Sequence, residues 1–310
     1  MLNKLLQGLV TAIIVVTLSA CGGGGSGSSS SRITLSITDA PIDGADAVVV
    51  TFSGVELKPA DGEPFSIDFD TPMSIDLMGL TEGQTDNLLT NQVIEPGEFN
   101  WVRLKVIENP LLTYITIGGE NLELEIPSNA KTGLKVNRNF TVATGGVTRF
   151  TIDFDLRKSV HLPSCDDCNY KLRPTLRFID NLEVGTLSGS VDSALLSDVA
   201  SNCTDSTSGA VKAVVYVFTG SGVEPDDIDI DPMGADLGGV DPLTTAIVDA
   251  NGNYMVPFVE AGDYTLSLTC QAELDNAAVD DVIEFTGSHD ATVVVDQTTV
   301  VPAFTLPPLP

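Results

Sequence analysis

The chain has 310 residues, of which 43 are Asp or Glu and 15 are Lys or Arg, so its formal net charge at pH 7 is −28. A surface this acidic repels phosphate backbones and anionic lipid headgroups, which excludes nucleic acid as a partner and disfavours electrostatic docking to membranes. Cations, or simple solubility in salty water, are the natural counterparts of such a surface.

The first twenty residues predict an export signal. Lys4 precedes a mostly apolar stretch, residues 5–16, that is interrupted by Gln7, Gly8 and Thr11. A membrane-spanning helix needs about 20 apolar residues, so this shorter stretch is typical of the hydrophobic region of a signal peptide. We therefore expect residues 1–20 to be removed during export.

Residues 18–21 read Leu-Ser-Ala-Cys, which resembles the bacterial lipobox. The resemblance implies cleavage before Cys21 and attachment of lipid to its sulfur, so that acyl chains hold the protein to a membrane. Gly22 follows, and by resemblance to enterobacterial sorting this implies transport to the outer membrane, with the protein facing the periplasm or the cell surface. The alternative is an ordinary cleavable signal followed by a chance cysteine.

A Gly/Ser linker, residues 21–31, follows the signal. These residues have no apolar side chains to bury, so the segment is predicted to be a flexible coil. Its r.m.s. reach is roughly 18 Å. The linker would therefore act as a short leash between the lipid and the first folded domain.

Residues 32–183 predict a first β-sandwich domain. Apolar and polar residues alternate in many short segments, and Gly118-Gly119 and Gly145-Gly146 lie between such segments, as in two-residue hairpins. One segment, residues 86–92, is predicted to be a short helix. The pattern as a whole predicts an all-β fold of antiparallel sandwiches, Ig-like or prealbumin-like.

The order of several blocks in this region resembles a known family. LSITDAPIDGADAVVVTFSGVEL is followed by IDLMGL, EPGEFNWVRLKV, LEIPSNAKTGLKV, TIDFDLRKSV and YKLRPTLRFIDN. These blocks are similar to the bacterial lipoprotein domains of the domain of unknown function 4382 family. The resemblance implies a secreted, membrane-tethered β domain that is often followed by a second sandwich, and it supplies no catalytic residues.

Residues 184–310 predict a second sandwich, because alternating segments continue from TLSGSV to VVPAFTL. In TTAIVDANGNYMVPFVEAGDYTLSL, Asp249, Gly252 and Tyr254 are followed by a later Gly-x-Tyr. This spacing resembles the carboxypeptidase-regulatory-like (CnaB-type) domain, in which glycines take turn positions and tyrosines begin strands. The resemblance implies a fold and says almost nothing about function.

Four cysteines remain once Cys21 is assigned to lipid, and they allow three disulfide pairings. Because Cys203 and Cys270 both lie in the second domain, we predict that they pair with each other. Cys165 and Cys168 would then form a small local clasp. A lone C-x-x-C is weak evidence for redox chemistry or zinc, since no second cysteine pair accompanies it in the sequence.

An acidic stretch of the second domain, GSGVEPDDIDIDPMGADLGGVDP, suggests a calcium site. Asp227, Asp229, Asp231 and Asp236 offer the oxygen ligands that calcium prefers. Pro232 stands where an EF-hand loop needs glycine, so the stretch does not match that motif. The alternative is an exposed strand edge whose acidic side chains discourage aggregation.

Trp101 is the only tryptophan of the chain. Alternation places it on one face of a strand with Phe99, Arg103 and Lys105, and an aromatic ring flanked by cations is able to stack on a sugar or bind an acidic partner. The alternative is a structural cation–π strip that covers the sheet.

Asp153 and Asp155 lie two residues apart on one predicted strand and hence on one face. Acid–base catalysis by this pair is one hypothesis. Arg149 and Arg157 share the same face, so an ion-paired ladder along the strand is the favoured interpretation. Elsewhere, residues 288–290 read Ser-His-Asp, but sequence neighbours cannot form the hydrogen-bonded line of a catalytic triad.

Together these features predict a non-enzymatic, lipid-anchored protein of the outer membrane with a binding, adhesion or scaffolding role. Its expected partners are the membrane, through the covalent lipid, and an unknown protein or polysaccharide, and calcium is the one cofactor considered. A carbohydrate-binding accessory lipoprotein, stabilised by calcium, is the alternative. A hydrolase is a distant one, because the chain has two histidines and no catalytic motif.

Overall fold

The computed structural model describes residues 30–40, 42–126, 133–161, 169–229 and 239–306. β-Strands dominate, and the two α-helices in these ranges are short, α1 at Leu156–Ser159 and α2 at Ser193–Ser197. Within the same ranges no helix is long and apolar enough to span a bilayer. The all-β sandwich fold predicted from the alternation is confirmed.

The strands fall into two lobes that do not share a sheet within the described ranges. The first lobe contains β1 (Arg32–Ala40), β2 (Ala47–Pro59), β3 (Phe65–Asp76), β4 (Asp86–Val93), β5 (Gly97–Val106), β6 (Tyr114–Ile117), β7 (Glu120–Glu125), β8 (Leu134–Val136), β9 (Phe140–Val142), β10 (Val147–Asp155), β11 (Val160–His161), β12 (Tyr170–Leu172) and β13 (Leu176–Asp180). The second lobe contains β14 (Val184–Ser190), β15 (Val214–Thr219), β16 (Thr244–Ile247), β17 (Asn253–Glu260), β18 (Gly262–Thr269), β19 (Phe285–Val293) and β20 (Thr298–Val300).

Two sheets form the sandwich of the first lobe. The smaller has the order β13-β10-β1-β4, and the larger has the path β11-β12-β7-β6-β2-β5-β8, with β3 beside β2 and β9 beside β5. Most pairs are antiparallel, whereas β1 and β10 are parallel. A parallel pair needs a long crossover, and here the strands of the larger sheet supply it.

One continuous core fills the space between these two sheets. Its alternating aliphatic residues come from β1, β2, β5 and β10, which matches the period-two pattern of the sequence. Four phenylalanine rings meet at one end of the core, where Phe99 stacks on Phe140 at 5.0 Å and Phe140 contacts Phe150 and Phe178. Apolar burial in this core stabilises the first lobe.

The segment predicted to be a helix, residues 86–92, is instead strand β4. Its antiparallel pairing with β1 shifts register on both sides of Leu35, and Asn91 has a left-handed φ of 49°. Leu88 and Leu89 are both buried although they are neighbours. The bulges break the period-two pattern, so the strand is hidden from an analysis of alternation.

In the second lobe, a three-stranded sheet (β17-β14-β20) packs on a four-stranded sheet (β16-β15-β18-β19). The turn before β17 follows the Asp-x-x-Gly-x-Tyr motif. The Asp249 carboxylate accepts hydrogen bonds from the backbone N–H groups of Asn251 and Asn253, and Gly252 has a φ of +82°. Tyr254, at the start of β17, is buried against the core.

The outer face of the four-stranded sheet carries a second, smaller core. Val214, Tyr216 and Phe218 of β15 point to this face, where they pack against Ile228, Ala272 and Ala277. These partners belong to irregular segments, residues 223–229 and 270–284, which we call the loop layer. The second lobe therefore has a conventional core inside its sandwich and a loop-covered core outside it.

Candidate functional site

The joint between the lobes is built on two buried cations of α1. The strand β10 ends at Asp155, whose carboxylate caps the turn by accepting a hydrogen bond from the Lys158 backbone N–H at 3.2 Å. This short turn directs the next side chains out of the first lobe. Arg157, which is 5% exposed, donates from Nη1 to the Ala272 carbonyl of the loop layer at 3.1 Å and from Nη2 to Asp43 at 2.8 Å.

Lys158 makes the second connection. Its Nζ donates to the backbone carbonyls of Pro242 and, at 2.9 Å, Leu243 in the second lobe. A buried ammonium that loses its acceptors costs several kcal/mol, so these bonds fix where the second lobe sits. Both cations leave the first lobe and end in the second.

The predicted ion-paired ladder on β10 is wrong in its partners. Asp153 is held by Arg177 of β13, whose Nε and Nη2 donate to one carboxylate oxygen at 2.9 and 2.5 Å. Arg149 is exposed, and Arg157 has left the strand. The sequence could not show this, because the end of β10 that carries Asp153 and Asp155 is buried, with Asp153 beside residues of the second lobe.

A cavity of about 230 Å³ lies between the lobes beside these acids. Asp39 lines it, and one oxygen, Oδ1, accepts from the Leu156 N–H at 3.2 Å. The other oxygen is buried and accepts no hydrogen bond from the residues that the structure describes. Burial, together with the charges of Asp153 and Asp155, raises the pKa of Asp39 well above its usual value.

A second group of acids lies in the loop layer. Of the predicted calcium ligands, Asp231 and Asp236 lie outside the described residues, while Asp227 and Asp229 are buried. The structure brings Asp227 to two acids that the sequence analysis did not select, Asp275 and Asp281. One carboxylate oxygen from each of these three lies within 4.8 Å of the others.

Hydrogen bonds hold this acidic trio (Asp227, Asp275 and Asp281) in place. Asp227 Oδ2 accepts from the Asp281 backbone N–H at 2.6 Å. Asp275 accepts from the Tyr216 hydroxyl at 2.5 Å and from the Ile228 N–H at 3.2 Å. Burial, followed by the charges of neighbouring acids, raises the pKa of Asp227 to about 7. Burial likewise raises the pKa of Asp275 to about 6, although the Tyr216 hydroxyl opposes the shift.

The disulfide predicted between Cys203 and Cys270 is confirmed. It joins the segment after α2 to the first residue of the second loop-layer segment, directly after β18. The predicted clasp of Cys165 and Cys168 lies outside the described residues, as does the predicted lipid-bearing Cys21.

Trp101 lies on the larger sheet of the first lobe with cations over its ring. The guanidinium carbon of Arg103 is 4.7 Å from the ring centroid and Lys135 Nζ is 4.6 Å from it. Arg103 also pairs with Glu56 of β2. This arrangement is the cation–π strip that the sequence analysis offered as the alternative to a glycan platform, and glycan binding at Trp101 stays a prediction.

The structure also places the other two residues predicted beside Trp101, which are Lys105 and Phe99. Lys105 pairs with Asp68 of β3 at 2.5 Å. Phe99 was predicted to share the face of Trp101, but it is buried in the core. The pairing of β5 with β2 shifts register between Lys58 and Pro59, and this irregularity turns Phe99 inward.

The Ser-His-Asp tripeptide of β19 is dispersed, as expected for neighbours on a strand. Ser288 shares a hydrogen bond with Ser267, the His289 ring lies 4.8 Å from that of Phe304, and Asp290 accepts from the Ser221 hydroxyl. The three side chains therefore bond to different partners.

Comparison with known proteins supports the first resemblance. Residues 30–174, which span most of the first lobe, match the family described as Domain of unknown function (DUF4382). The resemblance seen in the sequence blocks is confirmed over these residues. No curated protein sequence matches the chain significantly.

Several solved structures are similar to the chain at low identity. The Bacillus anthracis TIE protein is 11% identical, with 89% of this chain and 34% of that protein covered and a TM-score of 0.21. The chain thus spans about a third of that protein. GBS52, the minor pilin of Streptococcus agalactiae, is 11% identical, with 89% of this chain and 97% of that protein covered and a TM-score of 0.21. The shaft pilin spaA from Lactobacillus rhamnosus GG is 9% identical, with 91% of this chain and 100% of that protein covered and a TM-score of 0.22.

Proposed function

We propose that the protein is a non-enzymatic, lipid-anchored protein of the bacterial outer membrane whose two β-sandwich lobes act as one rigid binding or scaffolding unit. The observation that carries the proposal is the joint, where buried Arg157 and Lys158 of the first lobe end on backbone carbonyls of the second. Buried, hydrogen-bonded cations resist small relative motions of the lobes, because a shift that breaks the bonds without admitting water leaves a charge without acceptors.

The acids of the joint support a structural rather than a catalytic role. Asp153 is bound by the Arg177 guanidinium, Asp155 caps α1, and Asp39 accepts from the backbone. A general base needs a free, ionised oxygen aimed at substrate. Here one oxygen of each acid already accepts from a structural donor, and burial favours the protonated form of Asp39.

The N-terminal sequence supports the proposed location of the two lobes at the outer membrane. The lipobox-like residues 18–21 and the Gly/Ser linker would hold the lobes within a few tens of ångströms of the membrane. The disulfide between Cys203 and Cys270 is consistent with an oxidising compartment outside the cytosol.

Radiolabelled palmitate tests the anchor. We expect cells that express the full chain to incorporate label into the protein and to retain it in the outer-membrane fraction. A Cys21→Ser variant should lose both, whereas a Ser26→Ala variant in the same linker should keep both. Wild-type protein without label, or unchanged fractionation of Cys21→Ser, would contradict the proposed anchoring.

Chemical cross-linking on intact cells tests the binding role. We expect a protein partner to be recovered with the wild type, or a polysaccharide partner to retard it in affinity gels. Trp101→Ala should abolish the gel retardation if the cation–π strip is the sugar platform. Absence of any cross-linked partner and of any retardation would contradict a binding role.

A further inference from the structure

The acidic trio joins parts of the second lobe that are distant in sequence. Asp227 comes from the first segment of the loop layer, and Asp275 and Asp281 come from the second, 48 and 54 residues further along the chain. One oxygen from each lies within 4.8 Å of the others. Three carboxylates at this separation repel one another strongly unless a cation or protons lie between them.

A buried oxygen without a donor lies in this trio. Asp227 is 1% exposed, and its Oδ2 is occupied by the Asp281 N–H. Its Oδ1 is buried and accepts no hydrogen bond from any residue that the structure describes. A buried carboxylate oxygen with no partner is costly, so the position calls for a group that is not part of the chain.

The nearest large side-chain cation is already engaged. Arg157 acts on Asp275 electrostatically, but its Nη atoms bond to Asp43 and to the Ala272 carbonyl. The second lobe from residue 185 onward has one basic side chain, Lys212, and this is paired with Glu273 at 2.6 Å. Arg157 thus offsets part of the charge at Asp275 while its Nη atoms bond elsewhere, and the one lysine of the second lobe is paired with an acid outside the trio.

The separation of the three carboxylate oxygens is compatible with a calcium ion. Calcium binds oxygen at about 2.3–2.6 Å, so ligand oxygens on opposite sides of one ion are up to roughly 5 Å apart. Magnesium binds at about 2.0–2.1 Å and requires a tighter octahedron. Oxygens that lie within 4.8 Å of one another are close enough to surround one calcium ion, with water completing its larger and more adaptable shell.

We propose that Asp227, Asp275 and Asp281 bind one calcium ion, which clamps the two segments of the loop layer onto the outer face of β15. The ion would take Asp227 Oδ1 as a ligand and neutralise the trio. Because Ala272 lies on the same layer, the clamp would also order the acceptor of Arg157 and so stiffen the joint between the lobes.

Calorimetric titration of the chelator-treated full chain with calcium chloride tests the site. We expect a stoichiometry of one and a dissociation constant of roughly 10⁻⁴–10⁻³ M, as in extracellular calcium modules. Thermal melts should rise by several degrees at about 5 mM calcium chloride and by much less at the same concentration of magnesium chloride. No heat and no change in Tm for the wild type would overturn the proposal.

Variants then assign the ligands. Asp281 Oδ2 accepts a hydrogen bond from the Asn276 N–H at 2.7 Å. Asp281→Asn keeps an oxygen that accepts this bond but removes one negative charge. It should weaken calcium binding by at least about tenfold. Asp227→Asn should raise the Tm of the calcium-free protein and abolish its rise with calcium, a pair of opposite effects that a merely misfolded variant would not give.

Asp241→Asn is the matched control, because Asp241 is an exposed acid of the same lobe outside the trio. It should bind calcium as the wild type does. A response of Asp281→Asn equal to that of the wild type, or loss of the response in Asp241→Asn alone, would place the ion elsewhere and overturn the assignment.

Discussion

The two lobes share a sandwich architecture but differ in how they are held together. The first has a single core between regular sheets, and residues 32–184 carry 13 basic and 23 acidic side chains. The second has an inner core and a loop-covered outer core, and residues 185–310 carry one basic and 20 acidic side chains.

This difference separates two ways of stabilising a β-sandwich. In the described part of the first lobe, strand pairing and apolar burial supply the main stabilisation. The loop layer of the second lobe has few ladder hydrogen bonds and many acids, so it depends on a disulfide, on the bond from Tyr216 to Asp275 and on the proposed ion. We expect the second lobe to respond more strongly to reduction, to pH and to chelation.

Removal of the disulfide should give the largest effect. It links residues 67 apart, and its loss in a Cys203→Ala/Cys270→Ala variant should lower the free energy of unfolding by about 4 kcal/mol in the chain-entropy model. Urea unfolding followed by Trp101 fluorescence reports the first lobe, whereas far-UV circular dichroism reports both. An equal shift of the urea midpoint in both signals would contradict the proposed difference between the lobes, because it would show that they unfold together.

The second largest effect is expected for Arg157→Ala. This variant should lower the free energy of unfolding by about 3 kcal/mol, because it leaves Asp43 and the Ala272 carbonyl without their donor. Arg149→Ala removes an exposed arginine from the neighbouring strand and should change stability by less than about 0.5 kcal/mol. Denaturant unfolding measures both variants, and similar small losses would mean that the joint contributes little.

A change of pH should alter the free energy of unfolding of the calcium-free protein by less than the Arg157→Ala substitution does. The folded pKa of Asp227 is about 7 against an ordinary value of 3.8, so between these values the folded state holds a proton that the unfolded state has released. Stability therefore falls as the pH rises through this window, by about 2 kcal/mol relative to Asp227→Asn. Unfolding curves from about pH 5 to about pH 8 measure the difference, and parallel profiles for the two proteins would contradict it.

The smallest effect is expected in the first lobe. Lys135→Ala removes one of the cations over the Trp101 ring and should cost about 0.5 kcal/mol, with a shift in tryptophan emission. Lys171→Ala, an exposed lysine of the same lobe, should leave emission unchanged. An emission change in both variants would mean that the ring senses surface charge in general rather than direct contact.

Sequence analysis recovered the parts of the fold that repeat along the chain. Alternation located most strands, and the hairpin around Asp249 was visible because its glycine and tyrosine occupy fixed positions. Strand β4 was missed because bulges place Leu88 and Leu89 together in the core. The disulfide was predicted because Cys203 and Cys270 lie in one predicted domain.

The candidate sites were less accessible to sequence analysis, since long-range packing creates them. Asp275 and Asp281 meet Asp227 only through the folding of the loop layer, and no local spacing connects them. Arg157 was predicted to belong to an ion-paired ladder on the strand and Lys158 was not selected, yet both are buried at the joint with the second lobe. A useful signal would have been the high density of acids in both segments of the loop layer.

The parallel pairing of β1 with β10 determines how the first lobe responds to mechanical load. The register runs without interruption from Arg32 opposite Val147 to Ala40 opposite Asp155. When the chain is held ahead of Arg32 and loaded through the second lobe, which follows β10 in the chain, the two strands are pulled in opposite directions along their axes. The force then loads this ladder in shear instead of peeling its bonds one at a time. The point at which the linker enters the fold is therefore built to resist traction.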